Sequence, residues 1–295
     1  MGRAPQSRTR LRSTGPGEFA AIDRLRQLSV ILPAMAQETA AARRDAARLR
    51  VENAQLLNRV SRLERSPRHP QKEHITKIAI IGAGSIGGIL ARRFAALGHD
   101  VTITNSRGTE SLADLAAETG AVAMPVGEAT QGADVVILAI PKKSMPELPT
   151  GIVDAAPRRV VVIDPSNYAP RQRDGYIEEI ENGMIESRWT EARIGHPVVK
   201  AFNTITARHL PTLARPAGSP ERIALPVAGD DPVAKIIAMS LIDEFGFDAV
   251  DAGDLGNSWR QQPGTPVYTT DLDKDGVREA LAAASPERPP EWRAN

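Results

Sequence analysis

Apolar residues fall along this chain in short runs, and the runs change character near residue 75. Beyond it they are continuous and β-branched: "TKIAII" (76–81), "DVTIT" (100–104), "DVVILAI" (134–140), "RVVVID" (159–164), "VVKAF" (198–202), "RIALPVAG" (222–229) and "DAVDA" (248–252). Runs of this length without polar alternation suit strands buried on both faces. Between several of them, residues 86–97, 112–119 and 232–245 carry helical spacing. The alternation predicts βαβ units and an α/β fold with a doubly wound parallel sheet.

Before residue 75 the pattern is different. Leu49, Leu56 and Leu63 recur every seven residues, and Ala46, Asn53 and Val60 complete an a/d seam in "AARLRVENAQLLNRVSRLE". A lone polar Asn at an a position fixes register in parallel two-stranded coiled coils, so a homodimer is expected. An Arg-rich amphipathic helix packed on its own domain, or extra sequence upstream of the true start, accounts for the same residues. Residues 1–20 lack apolar periodicity and read as disordered, and "RSPRHPQKEH" (65–74) reads as a linker. The expected organisation is therefore a basic N-terminal extension (1–75), a nucleotide-binding domain (76–220) and a small C-terminal segment on the acceptor side (221–295).

Charge sharpens that division. Residues 1–75 hold 15 Lys and Arg against 7 Asp and Glu, and the remainder holds 22 against 29, although the net charge is only +1. No ordered recognition helix leads into the heptads, so nucleic acid is not an expected partner. Cysteine is absent, which excludes disulfides, thiolate nucleophiles and cysteine-ligated metals. Redox chemistry would need a borrowed cofactor. The histidines, His69, His74, His99, His196 and His209, show no metal-ligand spacing, and no metal is expected. "DLDKDG" (271–276) resembles a calcium loop but has Ala282 where the terminal Glu belongs. With no apolar run of the ~20 residues a bilayer needs, and no secretory h-region, a cytoplasmic protein without a membrane segment is expected.

The chemistry begins at "IIGAGSIGG", where Gly82, Gly84 and Gly87 form GxGxxG between an apolar strand and an amphipathic helix. In that setting the first glycine makes the tight turn, the second admits a pyrophosphate and the third lets helix and sheet approach. The second strand ends in "TITNSRGTE" (102–110). An NAD site places an acid there to accept from the ribose 2′-hydroxyl. This chain offers Asn105, Ser106 and Arg107, which avoid repelling a 2′-phosphate and supply a donor and a planar cation. NADP(H) is favoured over NAD(H).

With "VVILAIP", "VVIDPSN", "VVKAFNTI", "PVAGDD" and "DAGDLGNS" in order behind these motifs, residues 76–280 resemble the NADP oxidoreductases typified by the NADPH-dependent reductase of the deazaflavin coenzyme F-420. The resemblance implies a Rossmann fold with a small C-terminal part and the nicotinamide in the cleft between them. It places Ala83, Gly84, Ser85 and Ile86 at the pyrophosphate, and Ser106 and Arg107 at the 2′-phosphate. Ile140 and Pro141 then lie along the dinucleotide, with Asn167, Ala201, Phe202 and Asn203 near the nicotinamide. Phe202 is equally explained by core packing, and Asn203, directly after an apolar strand, is expected to be free for hydrogen bonding. "QQPGTPVY" (261–268) is expected to border the acceptor.

Archaeal deazaflavin reductases tend to have His where Asn203 aligns, and "KAFNT" also resembles the NADPH domain of the six-transmembrane epithelial antigen reductases, whose acceptor is a flavin. The expected activity is hydride transfer between NADPH and a deazaflavin, a flavin or another small-molecule acceptor, with no catalytic residue assigned. His196 and His209 flank the "KAFNT" strand as candidates for proton movement. A redox-sensing NADPH module dimerised by the N-terminal heptads is the alternative.

Overall fold

The computed structural model describes residues 75–294, and the heptad seam lies outside them. The described residues form one compact unit. Its first half alternates strands and helices: β1 Lys77–Ile81, α1 Ser85–Ala96, β2 Asp100–Thr104, α2 Ala113–Thr119, β3 Val122–Ala123, β4 Val135–Leu138 and β5 Val161–Asp164. α3 Glu178–Glu181, α4 Glu186–Ile194, β6 Val198–Lys200, α5 His209–Thr212, β7 Ala224–Val227, α6 Pro232–Phe245, β8 Asp248–Asp251 and α7 Lys274–Ala283 follow.

Among the described residues, six strands form a parallel sheet in the order β3-β2-β1-β4-β5-β6. The chain runs outward from β1 in one direction and then returns to start again at β4. That reversal opens a crevice at the carboxyl ends of β1 and β4, where ligands bind in such sheets. β7 and β8 form a second parallel pair, joined to the first sheet by an antiparallel bridge in which Lys200 and Ala228 exchange N–H···O bonds of 2.8 and 3.0 Å.

Both faces of the main sheet are covered, which is why its strands read as unbroken apolar runs. One face packs Ile80, Ile103 and Ile137 against Leu90 and Phe94 of α1 and Ile242 and Phe245 of α6. There Phe94 meets Phe202 and Phe245 edge to face, at 6.4 and 5.7 Å. The other face packs Val136, Val162 and Val198 under Tyr168, Trp189 and Leu255. α7 closes a smaller core on β7 and β8 through Val277 and Leu281.

α6 spans the 232–245 stretch of helical spacing: Asp231 caps it by accepting from Val233 N–H at 2.8 Å, and Pro232 occupies the first turn. β4 ends at Leu138, two residues short of the run "DVVILAI". "DLDKDG" is the start of α7, with Asp273 accepting from Gly276 N–H at 2.8 Å. α4 had no counterpart in the apolar pattern. Its buried face carries Glu186, Ser187 and Thr190 beside Trp189 and Ile194, so burial and hydrophobicity do not coincide along it.

Candidate dinucleotide site

β1 delivers the chain to Gly82 with φ +102°, where its N–H donates to Thr104 O at 2.8 Å. A side chain there is excluded twice over, because L-residues rarely adopt that φ and a Cβ would sit 2.4 Å from Ala139 O. A Cβ on Gly87 would lie 1.8 Å from Gly82 O, so this glycine sets the distance between α1 and β1. Gly84 differs from both: a Cβ built on it meets nothing within 4 Å. The space beside it is open to a ligand.

α1 begins there with no side-chain cap and no acid in its first turn. Gly88 N–H already donates to Gly84 O at 2.8 Å, which leaves the N–H groups of Ser85, Ile86 and Gly87 without intrahelical acceptors. A twelve-residue helix thus presents three donors and an uncompensated positive end to the crevice. These features fit a pyrophosphate.

At the end of β2, Asn105 holds the next loop in shape. Its Oδ1 accepts from Arg107 N–H at 2.9 Å, and its Nδ2 donates to Ser111 Oγ at 2.9 Å. Ser111 Oγ donates in turn to Gly108 O at 2.8 Å. Asn105 is thereby spent on the turn, and Ser106 and Arg107 stand exposed beyond it. Neither of those two side chains is engaged by another described residue.

At the carboxyl ends of β4, β5 and β6 the expected residues gather, with unequal freedom. Ile140 and Pro141 are half-buried, and Ile140 packs against the Gly82 turn. Asn167 and Asn203 are bonded to each other: Asn167 Nδ2 donates to Asn203 O at 2.9 Å and Asn203 Nδ2 to Asn167 Oδ1 at 3.0 Å. Asn203 Nδ2 also donates to Gln261 O at 2.6 Å, and its Oδ1 accepts from Gln261 Nε2 at 2.9 Å. The expected freedom of Asn203 is absent, because the polar residue after the strand staples the 261 segment to the sheet.

Ala201 and Phe202 are buried, with the Phe202 ring in the aromatic core and its backbone at φ 62°. A left-handed Phe costs roughly 1–2 kcal/mol, and it turns the chain sharply off β6. His196 Nδ1 bonds its neighbour's carbonyl, Pro197 O, at 2.8 Å, and His209 pairs with Asp271 at 2.6 Å.

Behind these loops lies a charged cluster that the apolar pattern did not reveal. Lys142, Asp164, Glu186 and Lys200 are all fully buried. Lys142 Nζ donates to Asp164 Oδ2 at 2.9 Å, to Glu186 O at 3.1 Å and to Thr190 Oγ1 at 2.6 Å. Lys200 Nζ donates to Ser166 O and lies 3.8 Å from Asp164 Oδ2. Ser187 Oγ adds a donor to Asp164 at 2.7 Å. Glu186 accepts from Tyr168 N–H and from Arg288 Nη2, each at 2.9 Å.

Burial pushes the Asp164 carboxyl up, but Lys142 and Lys200 beside it prevail and hold it far below the usual carboxylate range. For Lys200 burial prevails: the ammonium is pushed down to about 8, against the attraction of Asp164 and with added repulsion from Lys142. The cluster ties the ends of β4, β5 and β6 to α4 and fixes the 164–168 loop that carries Asn167. β5 and β6 each end on a charged residue, Asp164 and Lys200, and Lys142 follows β4 by four residues in "AIPKK", which was the signal for it.

Residues 77–168 match the family described as NADP oxidoreductase coenzyme F420-dependent, a segment holding the glycine turn, the 105–107 loop and Asn167. A hypothetical protein of Sinorhizobium meliloti, SMa0349, shares 34% identity with a TM-score of 0.58, covering 70% of this chain and 98% of that one. A protein of Arthrobacter sp. assigned as an F420-dependent NADP reductase shares the fold at 23% identity and a TM-score of 0.50, covering 62% of this chain and 87% of its own. The Escherichia coli (strain K12) protein YjhV is 50% identical over 69 residues, 23% of this chain and 50% of YjhV. The chain thus spans about half the length of that curated relative. Glycine turn, loop and sheet order agree with these matches, and the chain belongs to the coenzyme F420-dependent family of NADP oxidoreductases.

Proposed function

We propose that this protein binds NADP(H) and transfers hydride between its nicotinamide and a small ring acceptor of the deazaflavin or flavin type. One observation carries the cofactor half of the reading. The loop after β2 holds no acid at 105–107, and Asn105 is used to shape a turn that leaves Ser106 and Arg107 exposed. An arginine without a side-chain partner among the described residues at that point is suited to a 2′-phosphate, which it can hold through two N–H···O bonds.

NADPH, when bound, supplies the hydride, and the protein's task is to place two rings and exclude water. The free N–H groups of Ser85, Ile86 and Gly87 hold the pyrophosphate, while Ile140 and Pro141 provide an apolar path from it. The Asn167–Asn203 pair, backed by the buried ionic cluster, fixes the loops that border the nicotinamide end. No proton donor is assigned, consistent with chemistry that resides in the two ring systems.

Titration of the full-length protein with NADPH and NADH tests the cofactor half. Tighter binding of NADPH is expected, and equal affinity or preference for NADH overturns the assignment of Ser106 and Arg107. Oxidation of NADPH with coenzyme F-420, FMN, FAD or no acceptor tests the other half. Turnover with none of them would reject the ring acceptor.

A further inference from the structure

Arg173, a few residues beyond Asn167, is fixed in place but only partly used. It lies in a single π turn, Pro170–Asp174, closed by Gly175 N–H donating to Pro170 O at 3.0 Å. One edge of its guanidinium faces the buried Asp174 carboxylate: Nε donates to Oδ1 at 3.2 Å and Nη2 to Oδ2 at 3.1 Å. Nη2 also donates to Asn167 O at 2.6 Å. Nη1 has no partner among the described residues, and the side chain is 41% exposed. In a side-on pair of this kind the carboxylate takes the Nε and Nη2 edge, so Nη1 is left as a donor on a cation already held in position.

Asp174 does not neutralise its surroundings. Its oxygens also accept from Ala169 N–H at 2.8 Å and from Lys143 N–H at 3.3 Å. The second contact brings Lys143, which directly follows Ile140, Pro141 and Lys142, to the carboxylate that holds Arg173. Lys143 is exposed, and its ammonium has no partner among the described residues. Two basic side chains therefore share one acid, and both of them reach solvent while the acid does not. The 261–268 segment meets the same place from another direction. The Tyr268 phenol is pushed up chiefly by burial, with Glu186 adding to the shift and Arg173 opposing it. Arg173 is thus within electrostatic reach of the segment that the sequence sets beside the acceptor.

We infer that Arg173 and Lys143 select a ring acceptor whose side chain carries a phosphate, its oxygens accepting from Arg173 Nη1 and Lys143 Nζ while the ring lies toward Asn167. A phosphate brings up to two negative charges and three acceptor oxygens, enough to engage donors from two segments at once. This subsite is separate from the one for the 2′-phosphate. The 105–107 loop ends β2, whereas Asn167 and Arg173 follow β5, on the other side of β1 and β4 in the sheet. The inference rests on the ring-acceptor reading above and adds which member of that class the protein prefers.

The test compares acceptors that share a ring and differ in the phosphate: riboflavin with FMN, and the riboflavin-like core of coenzyme F-420 with F-420 itself. Dissociation constants from the acceptor's fluorescence, with the full-length protein saturated with NADP⁺, are measured beside kcat/KM for NADPH oxidation. The phosphorylated member of an accepted pair should be favoured at least about tenfold in both measures. Arg173→Met should bring that ratio close to one. It also strips the buried Asp174 of its cation, so Lys143→Gln serves as a second variant and should lower the ratio about threefold, with melting temperatures confirming folded proteins. An unchanged ratio in folded Arg173→Met overturns the inference, as it does in Lys143→Gln where Arg173→Met does not fold. A loss of NADPH affinity in Arg173→Met as large as the loss for the phosphorylated acceptor also overturns it, because Arg173 then serves the dinucleotide. A wild-type ratio near one rejects the inference alone, whereas neither binding nor turnover with any of the four rejects the ring-acceptor reading and the inference with it.

Discussion

At the scale of single residues, the proposed cofactor choice rests on a side chain with no other partner among the described residues. Arg107 is exposed and unpaired among the described residues, while its backbone N–H is held by Asn105 at 2.9 Å. Replacing it should therefore leave the fold intact and remove only a charge-assisted contact. Arg107→Ala is expected to weaken NADPH binding by about 2 kcal/mol, roughly thirtyfold, and to leave NADH binding unchanged. Parallel fluorescence titrations with the two nucleotides check this, and an equal loss for both would mean that Arg107 touches something other than the 2′-phosphate. Gly87 tests the opposite kind of residue. With Gly82 O 1.8 Å from where its Cβ would stand, Gly87→Ala must push α1 off β1. A loss of about 1–3 kcal/mol in urea unfolding is expected, together with weaker binding of both nucleotides. Gly84→Ala, built into open space, should cost much less stability while still hindering the pyrophosphate.

At the scale of elements, the sequence was legible where hydrophobicity and burial coincide, and opaque where they part. β1, β2 and α6 have the bounds or nearly the bounds that their apolar runs predict, because each buries apolar residues against the two faces of the sheet. α4 was not legible, since its inward face is Glu186, Ser187 and Thr190, and their partners Lys142, Asp164 and Arg288 come from the segment after β4, the end of β5 and the chain beyond α7. Asn203 was legible as a residue at a strand end but not as a staple, because its partners Asn167 and Gln261 lie 36 and 58 residues away. The shapes of the glycine turn and the 105–107 loop were legible because they depend largely on residues close together in sequence. The cluster that the pattern concealed should be the more sensitive to mutation. Asp164→Asn leaves Lys142 and Lys200 buried without their shared carboxylate, and a loss of about 3–5 kcal/mol is expected in urea unfolding. A loss under about 1 kcal/mol would mean that the cluster holds little of the strand ends together.

At the scale of the whole molecule, this cluster shapes how stability depends on pH. Lys200 holds its proton in the folded protein only up to about 8, against an ordinary value of 10.5. Between those values the unfolded chain carries a proton that the folded chain has lost, so this group makes stability rise with pH. Asp164 acts at the other end. Its carboxyl is lowered from an ordinary 3.8, so its contribution is complete above that value and is lost as the pH falls below it. The alkaline effect is opposed in the whole protein by exposed ion pairs that fail at high pH, and it is isolated by comparison with Lys200→Met. That variant keeps the Lys142–Asp164 pair of 2.9 Å and fills the site with a side chain of similar length. Wild type should gain on the variant steadily as the pH is raised from about 8 to about 10.5 and should show no such trend between about 6 and 7.5. Urea midpoints of both proteins across that range measure the difference. A constant gap would mean that Lys200 remains charged throughout, held by Asp164 and Glu186 more strongly than burial opposes it. The cluster would then be a permanent ionic lock beneath the loop that carries Asn167, and the Asp164→Asn penalty would belong at the upper end of its range.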